Sequence, residues 1–223
     1  MIGEQAVSHD QLFKIIFIEN PVDTIIFAIP ESKGLFKNKP EIVSIREESL
    51  KDTFAESFSR YDAPFLAKFE NKAFIFLVEH QHDKYKFSIY KLNHYVLKLE
   101  ELYACDVIPI VSFPKASRHD KAKPHEIKSE FLGKIYHQFA YELVCLKDYD
   151  SADYLESDNI FSRMMLPFMK FGSDEKLRIL KSIIRGLFEF IDDRDILRRM
   201  KCFQFIDYNQ EKAGYRRRDK NRT

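Results

Sequence analysis

Ala73-Phe74-Ile75-Phe76-Leu77-Val78-Glu79-His80-Gln81 decides how this chain is read. Six apolar residues with no helical stripe describe a strand buried on both faces, the pattern of a central strand in an α/β sheet. Such a strand then ends on an acid. An ionised carboxylate taken out of water is costly unless it is paired or bound to a cation. Side chains two apart in a strand share a face, so Glu79 and Gln81 project together while His80 points the other way. Residues 62–69 read as a second extended stretch, and Glu70-Asn71-Lys72 as the turn of a hairpin joining the two. In that hairpin Asp62 falls at the same end as Glu79 and Gln81. Two carboxylates and an amide at one sheet end suit a hard divalent cation such as Mg²⁺.

Working outward, Tyr85 to Tyr103 carries Tyr85, Ile89, Leu92, Val96, Leu99 and Tyr103 at steps of four and three, which predicts a helix with one apolar face. Lys84, Lys91 and Lys98 form a second stripe, read either as a solvated face or as a contact for phosphates. Val107 to Val111 is a further strand, so strand, helix and strand form a crossover unit. Pro64 removes a ladder donor, which predicts that the Asp62 strand lies at an edge or is irregular there. Ser8-His9-Asp10-Gln11 has the form of a capping box for a first helix ending near Glu19. Val22 to Pro30 reads as helical, residues 31–60 as loop with short elements, and Phe139 to Leu146 as either strand or helix. Beyond Asn159 the pattern turns helical, with Ser173 as the N-cap of a helix carrying Leu177, Leu180, Ile183, Ile184 and Leu187, and a last helix over 196–206. The expected organisation is an α/β domain over 1–150 and a helical extension with a basic tail over 151–223.

The 223 residues are 45% hydrophobic and 32% charged, which suits a globular domain with a helical appendage. The net charge is +1, so nucleic acid would have to be met by local patches. Residues 115–128 form one such patch, read as a loop, with five basic against two acidic residues and a local charge of +3. The end of the chain is also basic. Cys105, Cys145 and Cys202 are odd in number and widely spaced, as expected of reduced, buried thiols in a cytoplasmic protein. No apolar stretch approaches the ~20 residues of a membrane span, so no membrane partner is expected. Glu79-His80-Gln81-His82-Asp83 does not read as a zinc cluster, because alternation scatters its side chains over both faces.

The ordered words of the first half resemble a known family. His9-Asp10-Gln11-Leu12-Phe13-Lys14, Ser59-Arg60-Tyr61-Asp62, Phe76-Leu77-Val78-Glu79-His80-Gln81, Tyr90-Lys91-Leu92-Asn93-His94-Tyr95 and Val107-Ile108-Pro109-Ile110-Val111 resemble the Rpn recombination-promoting nucleases, the YhgA-like transposase group of the PD-(D/E)xK nuclease superfamily. The likeness covers roughly residues 8–113. It implies a restriction-endonuclease-like core and Mg²⁺-dependent endonucleolytic cleavage of DNA, with Mn²⁺ as a substitute, in recombination or mobile-element biology. It also implies Asp62, Glu79 and the backbone carbonyl of His80 as metal ligands. Gln81 stands where the superfamily has a lysine, as the Rpn branch does. An amide orients a water but brings no positive charge, so Lys91 is the candidate for that charge. Asp10 or Glu56 is the alternative source of a further acid. The rival reading is a catalytically inactive nuclease-like module that binds DNA or protein, and both a monomer and a homodimer remain open.

Overall fold

A computed structural model describes residues 16–45, 63–81, 85–117, 125–172 and 174–189. The fold is α/β. Five strands form one mixed sheet in the order β1-β2-β3-β4-β7, with β1 Glu41–Ser44, β2 Ala63–Lys68, β3 Ala73–His80, β4 Asp106–Phe113 and β7 Glu142–Cys145. β2 pairs antiparallel with β1 and β3, whereas β3–β4 and β4–β7 are parallel. Between β4 and β7 the chain makes a separate two-stranded hairpin, β5 Glu126–Phe131 and β6 Lys134–Ala140. The helices are α1 Pro21–Ala28, α2 Ile89–Tyr103, α3 Ile160–Met165 and α4 Lys176–Glu189, and residues 16–19 are also helical.

β3 is central, as its two-sided apolar run requires, and its six last residues are all buried. Phe76 and Val78 enter one apolar core with Phe17, Phe27, Phe161 and Met165; Ile75 and Leu77 enter a second with Phe87, Leu92, Val96 and Leu99. The sheet therefore lies between α1, α3 and α4 on one side and α2 on the other. The first core spans the sequence boundary expected at residue 150. Phe161 stacks on Phe17 and Phe27, with ring centroids 5.6 and 5.3 Å apart. The sequence words for a first helix before Ile16, for Ser173, for residues 196–206 and for Cys202 lie outside the described residues.

α2 begins at Ile89, four residues later than the apolar stripe predicts. Ser88 is extended, and its hydroxyl accepts the Lys91 N–H at 3.5 Å, a side-chain cap that fixes the start. Tyr85 consequently lies in a turn and is exposed, while Ile89, Leu92, Val96 and Leu99 bury the stripe. Each such burial contributes ~1.5–3 kcal/mol. On α4, Ile179 and Ile183 face the core, while Leu177 is 61% and Ile184 39% exposed.

Three further expectations are corrected. β2 is an internal strand, so Pro64 does not mark an edge. The Pro64 carbonyl accepts the Ile45 N–H at 3.0 Å, just beyond the last residue of β1. A residue's N–H and C=O share one side of a strand, so the missing donor faces the end of the β1 ladder and costs β3 no bond. Residues 126–128 of the expected basic loop open strand β5, and Lys128 is ion-paired with Glu130 at 2.6 Å. Cys105 is only half-buried, its thiol donating to the Ala73 carbonyl at 3.1 Å, whereas Cys145 is buried.

Asp23 ties the two ends of the chain together. Its carboxylate accepts the Ile160 N–H at 2.9 Å at the start of α3, and Asn159 Nδ2 donates to its carbonyl at 2.8 Å. Burial pushes the Asp23 carboxyl above its usual range, with the Ile160 hydrogen bond opposing. Asp23→Ala is expected to lower stability by ~1 kcal/mol at neutral pH, the scale of a lost helix cap, measured by urea denaturation.

Candidate functional site

Glu79 is the penultimate residue of β3 and is 6% exposed. Alternation from Ile75 and Leu77 directs it to the α2 side of the sheet, and Gln81 follows on the same side. The Gln81 amide nitrogen donates to Glu79 Oε1, as two residues sharing a strand face can. The Gln81 backbone N–H donates to the Ser112 carbonyl at 2.9 Å, which holds the strand end in register with β4. Lys91, in the first turn of α2, is exposed, and its charge acts on Glu79. Burial pushes the Glu79 carboxyl above its ordinary range, while the Gln81 hydrogen bond and the Lys91 ammonium pull it down. Three of the residues selected from the sequence are thus brought together.

His80 points to the opposite face, as alternation requires. Its ring is buried and lies edge-on to Phe17, with centroids 6.3 Å apart. Asp62 lies outside the described residues; the residue after it, Ala63, pairs with Val78. Asp10 and Glu56, Lys84, and His82 and Asp83 also lie outside. Among the described residues no three His, Cys, Asp or Glu side chains cluster as metal ligands.

The structure adds Tyr141, which no sequence motif marks. It follows β6, is buried beside Phe87 with ring centroids 5.3 Å apart, and shares the α2-side core. Its phenol is pushed up to about 12, first by burial and then by the negative charges of Cys145 and Glu79. Tyr141 therefore keeps its proton at neutral pH and presents an O–H within the field of Glu79. No local motif marks it, because β7 is brought beside β4 only by the long connection through β5 and β6.

Lys91 provides a test of this electrostatic arrangement. Lys91→Met removes an attractive charge and leaves Glu79 buried, so the Glu79 carboxyl is expected to titrate at higher pH than in the wild type, measured by carboxyl-selective NMR. An unchanged titration would place Lys91 out of reach of the carboxylate.

The described fold defines an α/β protein with a buried acid at the end of its central strand. No family model, curated protein or solved structure matches the chain. No helix among the described residues is long and apolar enough to cross a membrane.

Proposed function

We propose that this chain is a Mg²⁺-dependent DNA endonuclease of the Rpn type, with a restriction-endonuclease-like core. The observation that carries the reading is Glu79: a buried carboxylate at the end of the central strand, met by one amide and one lysine of the adjoining helix. A carboxylate so placed fits a hard cation, because its burial cost is offset when a divalent ion shares its charge. Asp62, Glu79 and the His80 carbonyl are the ligands the reading assigns. Ala63, the residue after Asp62, pairs with Val78, the neighbour of Glu79. When bound, the ion polarises a phosphodiester and lowers the pKa of a coordinated water.

The remaining roles belong to side chains. Gln81 orients Glu79 through its amide and has a second N–H with which to hold a water. Lys91 supplies the positive charge that Gln81 lacks, from a helix start fixed by Ser88. Tyr141, protonated at neutral pH, adds a neutral donor to the same side of the sheet.

Plasmid nicking in Mg²⁺ tests the proposal. Wild type is expected to cut, and Asp62→Ala, Glu79→Ala and an excess of chelator are each expected to stop it. Cleavage that persists in both variants, or that ignores the chelator, excludes the assignment. A folded wild type that neither cuts nor binds Mg²⁺ or Mn²⁺ selects the inactive-module reading.

A further inference from the structure

α4 has more apolar surface than the described core uses. Ile179 and Ile183 enter that core, and Ser182 and Gly186 are buried on the same face. The Ser182 hydroxyl donates to the Leu155 carbonyl, and a Cβ at residue 186 would stand 3.0 Å from Arg163 Cδ, so this face is closely packed. A second row, Leu177, Leu180, Ile184 and Leu187, runs beside it at steps of three, four and three. Leu177 and Ile184 are exposed, and Leu180, though half-buried, does not join the core among the described residues. Arg178, Lys181 and Arg185 hold the remaining side at steps of three and four, all exposed. Single apolar residues scattered over a surface need no partner. A row kept apart from the charges widens the apolar stripe of the helix enough to take a second neighbour.

We propose that residues 196–206 of the same chain dock on this row as an antiparallel helix and close α4 into a helical hairpin. Three observations favour this occupant over a second copy of the chain. Ile196, Met200, Phe203 and Ile206 recur at steps of four, three and three, an apolar row of the same length as the one on α4. Six residues, 190–195, separate Glu189 at the end of α4 from Ile196. A connection that short joins helices that are antiparallel neighbours, and it presents the segment at a high effective concentration that a free copy does not reach. It also holds Asp192, Asp193 and Asp195, residues of turns and N-caps, with Asp195 directly before Ile196. The rows then match in register. At ~1.5 Å per residue, counting outward from the middle of the connection brings Ile184 level with Met200 and Leu180 level with Ile206, with Phe203 between the two pairs. α4 lies across the sheet from Glu79, and nothing in this docking depends on the nuclease reading.

Hydrogen exchange of the full chain, read by mass spectrometry, tests this. In wild type the amides of residues 196–206 are expected to exchange on the order of tenfold or more slowly than in a free peptide of that sequence. Leu177→Lys/Ile184→Lys changes only exposed positions of α4. It is expected to speed exchange over 196–206 by on the order of tenfold and to leave β3 and β4 as protected as in wild type. Met200→Lys/Phe203→Lys, which leaves α4 untouched, is expected to do the same, and it decides the matter alone if the α4 variant loses protection in β3 as well. Peptide-like exchange over 196–206 in wild type overturns the proposal. Protection that survives the α4 substitutions with the sheet intact overturns it too, since the segment then packs elsewhere. So does protection that disappears on dilution together with a dimer seen by light scattering, which assigns the row to a second copy.

Discussion

Glu79→Gln is expected to stabilise the protein at neutral pH while abolishing metal-dependent cleavage. The substitution keeps the shape and the Oε1 acceptor that Gln81 uses, and removes the charge. Burial raises the Glu79 carboxyl, so the folded state binds its proton more tightly than the unfolded state does. The sign follows from linkage. Below the ordinary glutamate pKa of about 4.3 both states are protonated and the carboxyl costs nothing extra; as pH rises through the folded-state value, the full penalty of a buried anion develops. The variant's advantage is therefore expected to be absent near pH 4 and to grow toward neutrality. A gain of ~1 kcal/mol would appear as roughly 2–4 °C in Tm. In the proposed nuclease, loss of this carboxylate as a metal ligand is expected to remove several kcal/mol of charge stabilisation, or about 10³-fold in rate. Thermal melts across pH, paired with plasmid nicking, read both effects. A Glu79→Gln protein less stable than wild type at pH 7 would mean that the charge is fully compensated without a cation.

The second large effect concerns the architecture. Phe161 is 2% exposed and packs on Phe17 and Phe27, so one ring joins the first described helical turn, α1 and α3. Phe161→Ala leaves a cavity at that junction and is expected to cost ~3–5 kcal/mol, a large share of the 5–15 kcal/mol that holds a typical domain. The loss should be felt by the whole molecule. Sheet residues Phe65, Phe76 and Val78 belong to the same core as Met164, Met165 and Ile183. Near- and far-ultraviolet circular dichroism are expected to report one transition in wild type and one, at lower temperature, in the variant. Separate transitions for the sheet and the C-terminal helices would contradict a shared core.

The sequence made β3 and the direction of Glu79 legible because both depend on local periodicity. A two-sided apolar run needs a central position, and alternation then places Glu79 and Gln81 together and His80 opposite. The same holds for α2, whose buried face lies at steps of three and four; only its start was obscured, since the cap at Ser88 competes with the stripe through Tyr85. The β5–β6 hairpin was hidden for a different reason. Ile127, Ser129 and Phe131 do alternate with Glu126, Lys128 and Glu130, but the charges suggest a loop, and Leu132-Gly133 lacks the usual asparagine-glycine turn signal. Asp23 and Tyr141 were not legible at all. Asp23 caps a helix 137 residues further along the chain, and Tyr141 approaches Glu79 only once the parallel strands have assembled. Pro64 misled because the rule against proline in a sheet ignores where the neighbouring strand ends.

In the proposed nuclease, Glu79 and the acid that precedes β2 together hold a divalent cation. Calorimetric titration of Mn²⁺ into the full chain tests it most directly. Saturable binding is expected in wild type, lost or strongly weakened in both Asp62→Asn and Glu79→Gln at unchanged fold. Binding that survives both substitutions, or its absence in well-folded wild-type protein, would contradict the account.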